Sequence, residues 1–225
     1  VKILFFLNLV NMRRIKTYII NLEDRTDRRK HILKEFENRS EFEIELVKAI
    51  RHEVGSWGLW LTIKSIISQS LDLQENYIII CEDDHRFTEH YDYKSLIRIL
   101  DKLRNWNADV LLGGVSWFED ALPLNDELFW IKKFNGLQFV VIFKEFYVKL
   151  LEMDFKMGMN ADIEMSIISD KCFVCYPFIS VQKEFGYSDV TPRNGNLGYV
   201  DHLFADKIES LHQLRKIASH YKVIK

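Results

Sequence analysis

Apolar and polar positions follow two different periods along this chain, and the places where the period changes mark its elements. Ile15 to Asn21 (IKTYIIN) is a short apolar run with β-branched residues, which predicts a buried strand. Asp24 to Glu37 is polar, with apolar positions at Ile32, Leu33 and Phe36, and predicts a helix. Phe42 to Ala49 (FEIELVKA) alternates and predicts a second strand. Trp57 to Leu71 returns to helical spacing through Leu61, Ile63, Ile66, Ile67 and Leu71. Tyr77 to Cys81 (YIIIC) is apolar on both faces and predicts a third strand, which stops at Glu82. Tyr93 to Arg104 carries Leu96, Ile97, Leu100 and Leu103 on one stripe and predicts an amphipathic helix. Asp109 to Leu112 predicts a strand ended by Gly113-Gly114, and Phe139 to Phe143 predicts another. Lys144 to Met153 predicts a helix, and Asn160 is placed to cap one running to about Ser169. Phe173 to Ile179 predicts a strand, and Asp201 to Ser219 a closing amphipathic helix.

Strands alternate with helices over the first two thirds, which favours an α/β sandwich of Rossmann type on a mostly parallel sheet. Ligands in such sheets sit beyond the carboxyl ends of the strands. The residues after Ile20, Ala49, Cys81 and Leu112 are therefore expected on one rim. No linker or repeat divides the chain, so residues 15–225 are expected to form a single domain. Residues 1–14 are read as an extension. Ile3 to Val10 is apolar except for Asn8 and too short to span a bilayer, no small-residue cleavage site follows, and Met12 is the expected natural start. A membrane-touching tail is the alternative.

Composition narrows the class. Apolar residues make up 48% of the 225, too many for a disordered chain. With 31 basic against 33 acidic residues, the net charge of −2 leaves no footprint for nucleic acid. Three cysteines cannot build a disulfide scaffold, which points to a reducing, cytoplasmic setting. Cys172 and Cys175 form a lone CxxC without the second pair a zinc site needs, so burial in a strand is the simpler reading.

The chemistry concentrates at Glu82-Asp83-Asp84. A buried strand that ends in three carboxylates needs something positive to neutralise them. On an extended chain residues two apart point the same way, so Glu82 and Asp84 are expected to share a ligand while Asp83 points elsewhere. Hard oxygen ligands suit Mg²⁺ or Mn²⁺, and such ions also hold phosphates. A solvated acidic turn is the plainer alternative.

Several segments, in order, resemble glycosyltransferase family 25, which includes lipooligosaccharide and collagen galactosyltransferases. Tyr18 to Arg29 (YIINLEDRTDRR) is similar to the family's opening motif at Asn21, Leu22, Asp27, Arg28 and Arg29. Gly55 and Gly58 match a Gly-x-x-Gly segment, Tyr77 to Asp84 a strand ending in Glu-Asp-Asp, and Asp109 to Gly113 a later strand. Ala161-Asp162 resembles an Asp-bearing helix start, and Gly186 to Val190 a closing Gly-x-Ser-Asp-Ile segment. The chain departs from the family at Leu59, Thr62 and Ile63, where the family commonly has Cys and Ser-His.

The resemblance implies a GT-A fold, a nucleotide-sugar donor such as a UDP-hexose, and a divalent ion, usually Mn²⁺. Asp84 would be its main metal ligand, with Glu82 beside it, and Asp83 would contact the ribose. The family makes β-linkages from α-linked donors, so an inverting transfer is implied. Galactose is the default sugar, and a glycan or glycolipid hydroxyl in surface-glycan or lipopolysaccharide synthesis the acceptor. A general base must then take the acceptor's proton. Asp162 matches the family position, with Glu164 as the alternative, and helix N-termini favour acids there in any case.

Arg25, Arg28 and Arg29 follow the first strand and could hold a diphosphate, since guanidinium groups make forked contacts to phosphate oxygens. The plain alternative pairs them with Asp24 and Asp27. Asn21, Arg25, Asp27, Arg28, Asp83 and Gly113 are the expected donor-binding set. Trp57, Trp60 and Trp117 could stack on sugar rings or pack in the core. His85 and His202 are candidate accessory ligands, each with a bland reading as a loop or surface residue. The closing helix either docks on the domain or rests on the inner membrane surface. A non-catalytic nucleotide-sugar-binding homologue and a metal-dependent phosphohydrolase are the rival functions.

Overall fold

The computed structural model describes residues 14–187 and 196–223. The expectations about Ile3 to Val10 and Met12, and those on Ser188 to Val190, concern residues outside that range.

In chain order the strands are β1 (Ile15–Asn21), β2 (Phe42–Lys48), β3 (Tyr77–Glu82), β4 (His85–Phe87), β5 (Val110–Leu112), β6 (Trp117–Pro123), β7 (Leu128–Asn135), β8 (Phe139–Phe143), β9 (Cys172–Cys175) and β10 (Ser180–Gln182). The helices are α1 (Thr26–Glu35), α2 (Gly55–Ser70), α3 (Tyr93–Asn105), α4 (Tyr147–Glu152, after a 3₁₀ turn at Lys144–Phe146), α5 (Ala161–Ile167) and α6 (Tyr199–His220). The main sheet has eight strands in the order β2-β1-β3-β8-β5-β9-β7-β6, and β4 pairs with β10 in a separate ribbon. β2 and β3 run parallel to β1, β9 runs parallel to β5, and β8 and β7 are antiparallel to their neighbours. Six of the eight strands thus point one way, and only β7 and β8 are reversed. The sheet is mixed in its pairing and mostly parallel in direction.

The period-2 pattern of β3 divides the core into two layers. Ile78 and Ile80 join Trp60, Ile63, Ile66, Tyr147, Met165, Phe204 and Leu211 on one face. Ile79 and Cys81 join Ile32, Phe36, Leu96, Leu100 and Leu103 on the other. Helices α2, α4, α5 and α6 therefore cover the first face and α1 and α3 the second. A strand apolar on both faces is what such a sandwich requires. α6 docks on the domain through Val200, Phe204, Leu211 and Ala218. Among the described residues no helix is long and apolar enough to cross a membrane.

The sequence reading needs four corrections. The expected strand from Phe173 to Ile179 ends at Cys175, and Ser180–Gln182 belongs to the ribbon. Asn160 precedes α5, but its side chain makes no cap hydrogen bond. The hairpin β6–β7 was not expected, because β6 is an edge strand whose side chains are nearly all partly or fully exposed. Finally, β8 enters the sheet antiparallel between β3 and β5, where alternation alone suggested parallel strands.

Gly58 shows why the Gly-x-x-Gly segment needs glycine. A Cβ there would press on the carbonyl oxygen of Ile50, backbone that cannot yield as a side chain can. Gly58→Ala gains about 1 kcal/mol of helix propensity but overpacks the β2–α2 loop at roughly 1–3 kcal/mol. A net loss of stability is expected, read as a lower denaturation midpoint. An unchanged or raised midpoint would show that the loop relaxes freely.

Candidate active site

The three carboxylates arise where β3 ends. Glu82 is its last residue, Asp83 and Asp84 form a turn, and the chain resumes at β4. The turn breaks the two-apart rule. Instead of alternating, Glu82, Asp83 and Asp84 all line one cavity of about 580 Å³. Its floor comes from the carboxyl ends of β1, β2 and β3 (Ile20, Leu22 and Ala49 among them). Because β8 is reversed, the residue that leads into it, Leu137, lies at the same rim. The rim expected from the sequence therefore exists for three of the four named strand ends.

At the fourth, Gly113 does not line the cavity. A Cβ there would lie 2.7 Å from the Ser180 side chain and 2.9 Å from the Phe139 ring. Its carbonyl accepts from Ile179 and Ser180 N–H groups. This glycine serves packing between the sheet and the β10 segment, which corrects its reading as a donor contact.

Asp83 and Asp84 are held by residues of the first loop. Asn21 Nδ2 donates to Asp83 Oδ2 at 2.7 Å and to the Arg25 carbonyl at 3.3 Å. Arg28 Nη1 donates to Asp83 Oδ1 at 3.1 Å and Asp84 Oδ2 at 3.2 Å, and Nη2 donates to the Tyr187 carbonyl at 2.8 Å. The Arg28 guanidinium lies 4.8 Å from the ring centres of both Phe185 and Tyr187. Asp84 Oδ1 is buried with no hydrogen-bond partner. Burial pulls the Arg28 pKa down, but the charges of Asp84 and Asp83 outweigh it and hold it above its usual value.

Burial also sets the acids. The Asp84 carboxyl is pushed up to about 6 by burial, against the pull of Arg28. Glu82 is pushed well above the usual carboxylate range by burial, then by the charges of Asp84, Asp83 and Asp162. Asp162 lines the cavity on α5 and is raised to about 6 by burial, although its oxygens accept from the Ile163 N–H at 3.0 Å and the Gly136 N–H at 3.1 Å.

The remaining candidates separate cleanly. Arg25 lines the cavity and stacks on the Tyr187 ring at 4.8 Å. Asp27 lies outside the lining and accepts from the Tyr187 hydroxyl at 3.0 and 3.1 Å. Glu164 is also outside it, one turn along α5 from Asn160. Arg28 also lines the cavity; its Nη groups hold Asp83, Asp84 and the Tyr187 carbonyl, and its Nε is buried without a hydrogen-bond partner. Trp117 lines the cavity and is 41% exposed, so it is open to a sugar ring. Trp57 and Trp60 stack on Phe155 at 5.7 and 4.7 Å and take the packing reading.

His85 is fully buried with Nδ1 2.7 Å from Ser180 Oγ, and burial lowers its pKa well below normal, so it is a neutral core residue. His202 is exposed on α6 and is not among the lining residues, although Tyr199 and Leu203 on the same helix are. Cys172 and Cys175 are buried free thiols, both raised to about 12 by burial. At the departures from the family, Leu59 forms cavity wall and Ile63 is core. Thr62 Oγ1 donates to the Gly58 carbonyl at 2.8 Å and accepts from the Ile50 N–H at 2.9 Å.

Three groups of lining residues escaped the sequence reading. Arg51, His52, Glu53 and Ser56 come from the β2–α2 loop, which the rim rule located without selecting residues. Ser116 comes from the segment between β5 and β6, and Asn135 from the end of the unexpected hairpin. Gln182, Tyr199 and Leu203 come from the last third of the chain, where no pattern pointed to the cavity.

Sheet, cleft and acidic strand end define an α/β protein of GT-A-like architecture. Residues 14–71 match the model of glycosyltransferase family 25 (LPS biosynthesis protein), which supports a glycosyltransferase. The match runs from β1 through α2 and ends before the acidic triplet. Among solved structures, A197 from STIV is 13% identical with a TM-score of 0.50, over 78% of this chain and 87% of that one. At that identity the likeness is one of fold. A glycosyltransferase involved in glycosylation of the major capsid of PBCV-1 is 11% identical with a TM-score of 0.42, over 84% and 98% of the two chains. UDP-glucose pyrophosphorylase complexed with UDP-glucose is 9% identical with a TM-score of 0.46, over 87% and 81%. No curated protein matches the chain.

Proposed function

We propose that the chain is a metal-assisted, inverting glycosyltransferase that moves a hexose from a UDP-sugar to a hydroxyl of a surface-glycan or lipopolysaccharide precursor. Galactose, UDP and the acceptor class rest on the family resemblance. The observation that carries the reading is one cavity, at the carboxyl ends of β1 to β3, that holds both the acidic strand end and Asp162.

The donor set fits a divalent ion of one particular kind. Among the described residues no cluster of three or more His, Cys, Asp or Glu side chains could enclose a metal by itself. Mg²⁺-type ions are commonly held by one or two carboxylates completed by substrate phosphates. Asp84, with its unpartnered buried oxygen, and Glu82 fit that role. When bound, such an ion supplies charge neutralisation to the departing diphosphate.

The chain's own groups do the rest. Asn21 and Arg28 hold Asp83 and Asp84, and Arg25 orients the nucleotide from the first loop. Trp117 offers a face to a sugar. Asp162 takes the proton of the acceptor hydroxyl as its oxygen bonds to the anomeric carbon. The bond from that carbon to the diphosphate oxygen breaks with inversion, and the electron pair leaves with UDP.

Thermal melting with a panel of nucleotide sugars, with and without Mn²⁺, tests this reading. At a hundredfold excess over Kd, a ligand of the native state adds about 2.7 kcal/mol, a rise of roughly 5–10 °C for a domain of this size. A Mn²⁺-dependent rise with one UDP-hexose, followed by product formation with an acceptor, is expected. A rise without turnover would identify a binding module. No rise with any nucleotide sugar, but release of phosphate from sugar phosphates, would identify a phosphohydrolase.

A further inference from the structure

We infer that Arg28 is the resident counter-cation of the acidic strand end, and that it makes the site take its divalent ion together with the donor's diphosphate rather than ahead of it. The inference rests on the metal-assisted reading above. It assigns Arg28 as a positioning residue that acts through Asp84, in place of the phosphate contact its sequence position suggests.

The geometry is that of a cation shared by two carboxylates. One nitrogen, Nη1, sits 3.1 Å from Asp83 Oδ1 and 3.2 Å from Asp84 Oδ2. Nη2 donates to the Tyr187 carbonyl at 2.8 Å and the Phe185 and Tyr187 rings each stand 4.8 Å away, while Nε is buried with no partner. An arginine cannot shed its charge at any working pH. With Asn21 on Asp83 Oδ2, both oxygens of Asp83 are engaged. Asp84 keeps one free oxygen, Oδ1, which is buried without a partner.

An incoming divalent ion therefore meets Glu82, a single oxygen of Asp84 and a fixed positive charge. Two carboxylate groups leave most of the ion's six positions to water, so the protein gains little from holding it, and the guanidinium repels it. A diphosphate brings further oxygens and further negative charge, which together offset the repulsion. Ion and donor should then bind as one unit. The same cation offsets part of the charge of Asp83 and Asp84 before a ligand binds, while Glu82 has no ion pair to it.

Mn²⁺ binding, read by the electron paramagnetic resonance of free Mn²⁺ with and without UDP, tests this. Wild-type protein is expected to bind Mn²⁺ at least tenfold more tightly with UDP than alone. Arg28→Gln, checked for folding by circular dichroism, is expected to bind Mn²⁺ alone at least tenfold more tightly than wild type, with the UDP dependence reduced. Arg28→Lys keeps the charge without the fork and is expected between the two. It replaces the Gln variant if that one does not fold.

Wild type that binds Mn²⁺ as tightly alone as with UDP would overturn the inference. So would a folded Arg28 variant with unchanged Mn²⁺ affinity, or one that loses metal-free UDP binding, which would mark a direct phosphate contact. The comparison of Mn²⁺ alone between wild type and variant needs no nucleotide. It therefore fails separately from the transferase reading, which fails when no nucleotide sugar binds.

Discussion

Asp84→Asn is expected to melt at a higher temperature than wild type at pH 7.5 in chelator, while losing transfer and the Mn²⁺-dependent response to UDP-sugar. The sign follows from proton linkage. The Asp84 pKa is about 6 in the fold against an ordinary 3.8, so between those values the folded state binds more protons than the unfolded state. Stability contributed by this group therefore falls as pH rises from about 4 to about 6, and stays lost above it. A neutral amide escapes that loss. Its oxygen can keep the bond from Arg28, and its NH₂ takes the place of the unpartnered oxygen. A shift of roughly two pKa units corresponds to on the order of 2 kcal/mol once the weakened Arg28 contact is allowed for, or roughly 4–8 °C in midpoint. The gain should vanish when the two proteins are melted near pH 4, where Asp84 is protonated in wild type. A variant less stable than wild type at pH 7.5 would mean that the Arg28 pair outweighs burial, and would refute the account. Raised stability with lost function is the expected signature of a charge kept buried for a ligand.

Much of this architecture is legible in the sequence because burial and period coincide. β3, β8 and β5 are apolar on both faces and form the middle of the sheet, and α3 carries a clear stripe. The strand that ends in Glu82-Asp83-Asp84 announces the site for the same reason, since three acids after YIIIC have no cheap packing explanation. What the sequence hides is hidden for physical reasons. β6 is an edge strand that packs on α6 and faces water, so its side chains need not alternate strictly. The direction of β8 depends on which neighbours accept its hydrogen bonds, a long-range choice that local pattern does not encode. The expected split between Glu82 and Asp84 on one side and Asp83 on the other fails because the chain turns at Asp83. Arg28 reads equally well as a phosphate contact or a surface residue until Phe185 and Tyr187, more than 150 positions later, are brought over it. Asp162 stood out only by resemblance, and its burial and its nearness to Glu82 come from the packing of α5 beside β7.

That placement of Asp162 leads to the second large effect. With a pKa of about 6, Asp162 is ionised at neutral pH yet still basic enough to accept a proton from a hydroxyl whose acidity grows in the transition state. The rate of transfer at low substrate should therefore climb with pH, tenfold per unit below about 6, and level off above it. Asp162→Asn should lower kcat by about 10²–10⁴-fold, the usual contribution of a positioned base, and make the rising limb shallower, leaving only the part due to Asp84, whose carboxyl is also raised to about 6. The amide has one oxygen where the carboxylate serves two N–H groups, from Ile163 and Gly136, so a hydrogen bond of roughly 1–3 kcal/mol is lost. Relief of the buried charge works in the opposite direction. Melting curves must accompany the kinetics so that rates are compared at equal folded fraction. Glu164→Gln, outside the cavity on the same helix, should leave both the rate and the pH limb in place. If instead Glu164→Gln takes the loss, or the wild-type profile is flat from pH 5 to 8, the base lies elsewhere on the cavity wall. Glu53, from the β2–α2 loop, would then be the next carboxylate to replace.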